Sequence, residues 1–482
     1  MPQHLHTGNA GKAEVENQQV VVPGQAARLQ QVQADIQTLN EGLSTHGEQI
    51  ATLEQNTAQL QETVSEIEAD IRQCLRELGQ MAFGLILTNQ DPSPEREIIC
   101  ECGGQLQYQR RRRAKVLSVF DWVEYERSYY AGCQCGRGKA PLDKKLGLEP
   151  GQVTAGLAAL IGLAGSELAF EYSSRFLEPF LLFRISENTI RKETHQFGKL
   201  QSEREEKLIA SSQDPIHLQE CLRTATERPK RLYGSIDGAY VRIEERQAQK
   251  AETEKWREMK VGCWYQVESV PESQQRKRHY QKKARGQPAL RAKDMYYYCD
   301  IAEVEAFDPL FWATACQAKA NLAAEIVFVC DGARWIWNLV EQYFPQAVQI
   351  VDWFHAEETF PKDQAKTWLD EILTELWHGN TSFVIKACEK LASRSISASN
   401  ALTYFRNNAH RMQYDHFRRQ GYLIGSGTVE SACKQIVSQR LKRPGAQWHV
   451  QGAVLTAKAR SAWLSGEWYQ LCSLRDRLPL AV

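Results

Sequence analysis

The chain has 482 residues, of which 43% are hydrophobic and 12 are tryptophan, enough apolar material for a sizeable core and, by length, for three or four domains. Its 59 basic and 59 acidic residues cancel, so net charge points to no class of partner and any preference for one has to lie in local clusters. The apolar run from Gly156 to Gly165 ends near Glu167, well short of the roughly 20 residues a membrane span needs. No membrane partner is therefore expected, and thirteen scattered cysteines without a signal peptide predict a reduced, cytoplasmic chain rather than a disulfide scaffold.

Residues 1–24 are polar and predict a disordered N-terminus. From Leu29 to Leu78 apolar residues alternate at threes and fours, which predicts a coiled coil over 25–80. Ile36, Ile50, Val64 and Ile71 occupy one seam position and Leu39, Leu53 and Leu60 the other, a distribution that favours a parallel homodimer. Gly42 and Gly47 flank a possible break, so an antiparallel hairpin is the alternative.

Over 95–145, Cys100-Glu101-Cys102-Gly103 and Cys133-Gln134-Cys135-Gly136 form two CxCG turns. Tetrahedral zinc takes four thiolates, and a glycine after the second cysteine permits the tight turn, so the pattern predicts a zinc-ribbon-like module with structural Zn2+. The commoner spacer is two residues, which leaves unligated thiols as the other reading. Between the pairs, Arg110, Arg111, Arg112 and Arg113, with Tyr125 to Tyr130, would give the ribbon a basic, aromatic surface for DNA.

Residues 150–205 predict a helical segment. Ser186 suits an N-cap, and Asn188, Arg191, Lys192 and His195 would form a reading face as in a helix-turn-helix, although any small helical bundle shows the same pattern.

Residues 228–355 change period. Leu232 to Ile243, Val261 to Val267 and Met295 to Ile301 read as consecutive strands. They are followed by a helix near 306–320, a strand ending at Asp331, a helix from Ala333 to Tyr343 and a strand from Ala347 to Val351. Three strands followed by βαβ alternation predict an α/β fold, a mixed sheet flanked by helices with ligands at the carboxyl ends of its parallel strands. Asp237 and Asp331 each close an apolar run, where a carboxylate avoids a desolvation cost only by meeting a partner or a metal. Turn formation or capping is the plainer role, since Asp331-Gly332 could cap the next helix. Asp352-Trp353-Phe354-His355 follows the last strand and places two polar side chains near one turn.

A helical insertion is expected over 356–420. It is followed at 421–470 by a helical part in which Glu430, after Gly425-Ser426-Gly427-Thr428-Val429, projects from a first helical turn. No acidic residue occurs from Ser431 to Gly466, whereas Lys434, Arg440, Lys442, Arg443, Lys458 and Arg460 are basic, a pattern suited to phosphate contacts. A second basic stretch runs from Arg276 through Lys283 and Arg285 to Arg291 and Lys293, where a solvated loop is equally compatible. Trp448 suits packing or stacking on an unpaired base.

The strings SIDGAYV, VFVCDGARWIWNLV, IVDWFHAEE, GSGTVESACKQIVSQRLK and RPGAQW, in this order across 231 to about 465, resemble those of DDE insertion-sequence transposases of the ISKra-type family. The resemblance implies an RNase H-like catalytic domain whose motif acids, Asp237, Asp331 and Glu430, bind two Mg2+ (or Mn2+) ions, with His355 close to the scissile phosphate. Two such ions activate a nucleophile and stabilise a leaving oxygen, as cutting a strand and transferring its 3′ hydroxyl requires. It also implies DNA partners, namely terminal repeats and target DNA, in the bacterial cytoplasm and nucleoid, with no small-molecule substrate. A dimer would hold two DNA ends together. Two alternatives remain: a catalytically inactive DNA-binding regulator of the same fold, and a nuclease or resolvase that cleaves without joining.

Overall fold

The computed structural model describes residues 25–60, 64–91, 94–148, 151–226, 228–244, 255–270, 289–362, 364–393 and 395–476. The expected disordered stretch 1–24 and most of the 276–293 basic stretch lie outside them. The chain divides into two compact units, Met1–Thr154 and Ala155–Val482.

In the first unit, helices α1 (Gln25–Leu60) and α2 (Val64–Asn89) run antiparallel. Asn89 donates to Asp35 at 2.6 Å, Gly42 lies against Met81 and Leu78, and the Cys74 thiol reaches Gln49. This corrects the expected parallel pairing in favour of the antiparallel hairpin: the two helices pair within the chain, while Ile36, Ile50, Val64 and Ile71 of the expected seam stay exposed. Gly42 and Gly47 lie inside α1, so no break falls there. Strands β1 (Glu97–Ile99), β2 (Gln105–Ser118) and β3 (Asp121–Ala131) form an antiparallel sheet, followed by α3 (Pro141–Leu146). Alternating side chains of β2 and β3 bury Val116, Val123 and Tyr125 with Leu87 of α2 and Leu142 of α3. Helix α2 thus extends beyond residue 80 and joins the core of the ribbon; its end is tied to β3 through Thr88, which accepts the Glu126 N–H at 3.0 Å.

The second unit begins with α4 (Ala155–Glu167), α5 (Phe170–Leu181), α6 (Glu187–Ser212) and α7 (Pro215–Thr224). Then come β4 (Leu232–Arg242), β5 (Trp256–Val270), β6 (Ala289–Asp300), α8 (Val304–Gln317), β7 (Ile326–Cys330), α9 (Arg334–Tyr343) and β8 (Val348–Val351). The sheet order is β6-β5-β4-β7-β8, antiparallel across β6, β5 and β4 and parallel from β4 through β7 to β8. Val327 to Cys330 are all buried, so β7 is covered on both faces, as a strand in the parallel part of a sheet must be. Helix α10 (Trp353–Glu358) follows β8, and the expected insertion is indeed helical: α11 (Lys366–Trp377), α12 (Thr381–Ala392), α13 (Ile396–Asn408) and α14 (Tyr414–Arg419). Its last helix is anchored to the sheet by the Tyr414 hydroxyl, which donates to the Val351 carbonyl at 3.0 Å.

Helix α15 (Gly427–Cys433) runs into a π-helical turn, Lys434–Ser438, and α16 (Val450–Leu464) and α17 (Trp468–Asp476) complete the unit. Helices α6 and α16 approach so closely that a Cβ on Gly198 would lie 2.0 Å from the Leu455 carbonyl oxygen. The helical segment expected over 150–205 is therefore built into the same unit as the sheet. Among the described residues no helix is long and apolar enough to cross a membrane.

Candidate metal centres and nucleic-acid interface

Strand register assembles the acidic residues. Gly234 of β4 pairs with Phe328 of β7, and Cys330 of β7 with Val351 of β8. Carried forward along the strands, the same register sets Asp237 level with Asp331, and Asp331 level with Asp352. Asp331 and Asp352 follow directly on the ends of β7 and β8. Asp237 closes the apolar run but not the strand: β4 continues to Arg242, paired with β5, close to the expected end at Ile243, so Asp237 stands at the level where the parallel partner stops.

Asp331 Oδ1 accepts the Ala333 N–H at 2.9 Å, so it does shape the turn into α9. Burial pushes its carboxyl above the usual range; the charges of Asp237 and Glu258 act the same way, and the Ala333 N–H and His355 act against them. Asp237 Oδ1 accepts the Gly238 N–H at 2.7 Å; burial, helped by the Asp237 carboxylate, holds the neighbouring Cys433 thiol well above its ordinary range. Cys433 lies one helical turn after Glu430 on α15, a spacing that puts both on one face.

Asp352 is buried and acts twice. Its Oδ1 caps α10 by accepting the His355 N–H at 2.7 Å, and its Oδ2 accepts the N–H of buried Ser426. Ser426 in turn donates through Oγ to Glu430 Oε1 at 3.1 Å, and His355 Nε2 lies 3.7 Å from the same oxygen. Ligand atoms of Asp352, His355 and Glu430 all fall within 4.8 Å of one another, a group that can hold a metal ion. Among the described residues no such group joins Asp237, Asp331 and Glu430 at that spacing; Glu430 stands instead with Asp352 and His355. Sequence reasoning credited His355 but not Asp352, although the Asp-x-x-His spacing held both. It missed Glu258 altogether, a β5 acid whose charge reaches Asp331.

The four expected cysteines do converge. Cys100 and Cys135 thiols lie 3.6 Å apart and those of Cys102 and Cys133 3.3 Å apart, with all four sulfurs within 4.8 Å of one another. Zn–S bonds of about 2.3 Å in a tetrahedron place sulfurs about 3.8 Å apart, so the cluster is compatible with a zinc module. Gly103 (φ +86°) and Gly136 (φ +72°) occupy the left-handed region, as the reversed CxCG turns require. The Gly104 N–H, helped by the neighbouring thiols, lowers Cys102 to about 7.

The basic residues separate into exposed and buried sets. Arg110, Arg111, Arg112 and Arg113 are all exposed on β2, with Arg112 stacked 3.7 Å from the Tyr129 ring centre. Tyr125 and Tyr130, expected on that surface, are buried in the ribbon. Ser186 caps α6 by accepting the Thr189 N–H at 3.1 Å, leaving Asn188, Arg191 and Lys192 exposed, while His195 turns inward against Phe170.

After Glu430, Lys434 and Lys442 are exposed and Arg443 is half-buried. Arg440, Lys458 and Arg460 are not surface cations: Lys458 pairs with Glu205 and, at 2.9 Å, with Asp300; Arg460 lies 2.8 Å from Glu167; and Arg440 donates to the Gly165 carbonyl at 2.9 Å. Trp448 is likewise spent on packing, its indole N–H on the Leu441 carbonyl at 3.0 Å and its ring beside Phe170 and Arg440. Arg291 and Lys293 lie on β6, paired with Glu268, rather than in a loop.

Compared with models of known protein families and with curated protein sequences, the chain matches none.

Proposed function

We propose that the chain is a DDE transposase with an RNase H-like core, cutting DNA and transferring its 3′ hydroxyl with divalent ions held by Asp237, Asp331 and Glu430 beside His355. The observation that carries this reading is the register that aligns Asp237, Asp331 and Asp352 across three adjacent parallel strands, with the helix of Glu430 following in the chain. The mixed sheet, three antiparallel strands extended by two parallel ones, supports the RNase H-like core. Hard carboxylate oxygens suit Mg2+ or Mn2+, and the four-thiol cluster suits structural Zn2+. Bound ions would activate the attacking oxygen and stabilise the leaving one. The chain's own part is to supply and orient the carboxylates: Asp352 fixes Ser426, Ser426 orients Glu430, and His355 completes the group. The exposed arginines of β2 and the N-terminal face of α6 would contact the backbone of terminal-repeat and target DNA.

A second reading is favoured by one observation. Asp352, His355 and Glu430 already form a compact group, which suits a single ion in a nuclease that cleaves without joining. A strand-transfer assay with Mg2+ on pre-nicked terminal-repeat duplexes tests both. Joined products are expected; cleavage without joining supports the nuclease, and binding without cleavage overturns the enzymatic reading.

A further inference from the structure

A cavity of about 1060 Å³ opens between the start of α5, one face of α6 and the stretch from Arg440 to Leu455. Its wall carries three arginines, Arg191, Arg440 and Arg443, against one acid, Glu171, which is tied to Arg175 at 2.5 Å. Arg440 is only 2% exposed, its guanidinium lying 4.6 Å from the Phe170 ring centre and 5.1 Å from that of Trp448. Its Nη2 has no hydrogen-bond partner among the described residues, and neither has Nε2 of His195 on the same wall. Burial, with the charges of Arg443 and Arg460, lowers Arg440 to about 9, and burial with Arg191 and Arg440 lowers His195 to about 4. A buried guanidinium with an unmet donor beside two more arginines is costly unless an anion completes it. Arginine's planar fork matches phosphate oxygens, and the volume is at the upper end of cavities that take ligands of nucleotide size.

We propose that this cavity is a phosphate-binding site that takes a phosphodiester of a nucleic-acid strand, with the Arg440 guanidinium as the inner cation and Arg443 and Arg191 as the outer ones. It rests on the proposed function only for the strand as the source of the phosphate. The test uses the full chain and the variants Arg440→Gln and Arg443→Gln. Thermal denaturation is compared in sodium phosphate and in sodium chloride of equal ionic strength. Binding of a fluorescein-labelled single-stranded oligodeoxynucleotide is followed by anisotropy across a salt series.

Phosphate is expected to raise the Tm of the natural chain but not that of Arg440→Gln. Each variant is expected to bind the oligonucleotide about ten-fold more weakly, with a log–log salt slope smaller by about 0.7. An equal phosphate shift in the natural chain and both variants would overturn the site. Protection that Arg440→Gln abolishes, with strand binding unchanged in both variants, would overturn the strand as its occupant. None of these readouts uses DNA cleavage, so an inactive metal centre would leave them untouched and their failure would leave that centre's assignment standing.

Discussion

Replacing Asp352 with alanine removes the side chain that joins β8, α10 and the turn before α15. Its Oδ1 caps α10 through the His355 N–H at 2.7 Å, and loss of such a cap costs about 1 kcal/mol. Its Oδ2 accepts the N–H of Ser426, a residue 1% exposed, and orphaning that donor in the interior costs about 1–3 kcal/mol. The two losses are at different atoms, so Asp352→Ala should lower the stability of the chain by roughly 2–4 kcal/mol. Asp352→Asn keeps the shape and one acceptor oxygen, and should cost about half as much. Urea denaturation followed by tryptophan fluorescence measures both, read as a midpoint shift at constant slope. In either variant Ser426 loses its carboxylate anchor and the hold on Glu430 loosens, so the proposed metal-dependent cleavage should fall about 100-fold, as a displacement of about 1 Å can cause. An alanine variant within about 0.5 kcal/mol of the natural chain, the range of ordinary surface substitutions, or an asparagine variant that cuts at the natural rate, would refute this account.

Asp331→Asn tests the acidic row by its pH sign. Burial raises the native carboxyl above its unfolded value near 3.8, so the native state holds that proton more tightly. The group therefore costs stability increasingly as pH rises from the unfolded value through the raised one, and the full cost persists above. Without metal at neutral pH, Asp331→Asn should melt higher than the natural chain, and should lose most of the gain in Tm that the proposed Mg2+ binding would confer; a lower melting point in chelator would contradict this. Metal analysis should find about one zinc per chain, falling sharply in Cys102→Ser, and an unchanged zinc content would remove the four-thiol assignment. Ile36, Leu43 and Ile50 are exposed at seven-residue intervals on α1, with Ile71 and Leu75 exposed on α2; if the chain forms the proposed dimer through this face, a triple aspartate substitution at the first three should yield a monomer in light scattering. A mass unaffected by that change would exclude this face from the dimer.

What was legible in the sequence follows the range of the forces involved. Strands β4, β7 and β8 are apolar runs, and their period and order emerge from local pattern alone. Strands β5 and β6 extend well past their expected ends because Arg257, Glu258, Arg291 and Lys293 look like loop residues, yet Arg291 and Lys293 pair across the hairpin with Glu268. The heptads of α1 and α2 predict helix pairing, but a pair formed within one chain has the same period as one shared between two. The basic stretch after Glu430 misled for a similar reason. Lys458 and Arg460 are neutralised by Glu205 and Glu167, partners hundreds of residues away that no local reading of charge can see. The four-cysteine cluster was readable because its spacing carries its own geometry.

Buried acids elsewhere in the second unit meet cations: Glu205 has Lys458, Glu193 has Arg475 at 2.6 Å, and Glu467 has Arg204 at 2.5 Å. Among the described residues, Asp237, Asp331 and Asp352 have no lysine or arginine within ion-pair distance, although strand register sets them side by side. Burial, with the charges of Asp237 and Glu258, raises the proton affinity of Asp331, and that cost is relieved by protonation or by a cation from outside. Here the proposals for one ion and for two diverge. An ion confined to Asp352, His355 and Glu430 leaves Asp331 outside its ligands, so Asp331→Asn would keep the full Mg2+-induced rise in Tm. Ions shared with Asp237 and Asp331 relieve the row itself, and the same variant would then lose that rise.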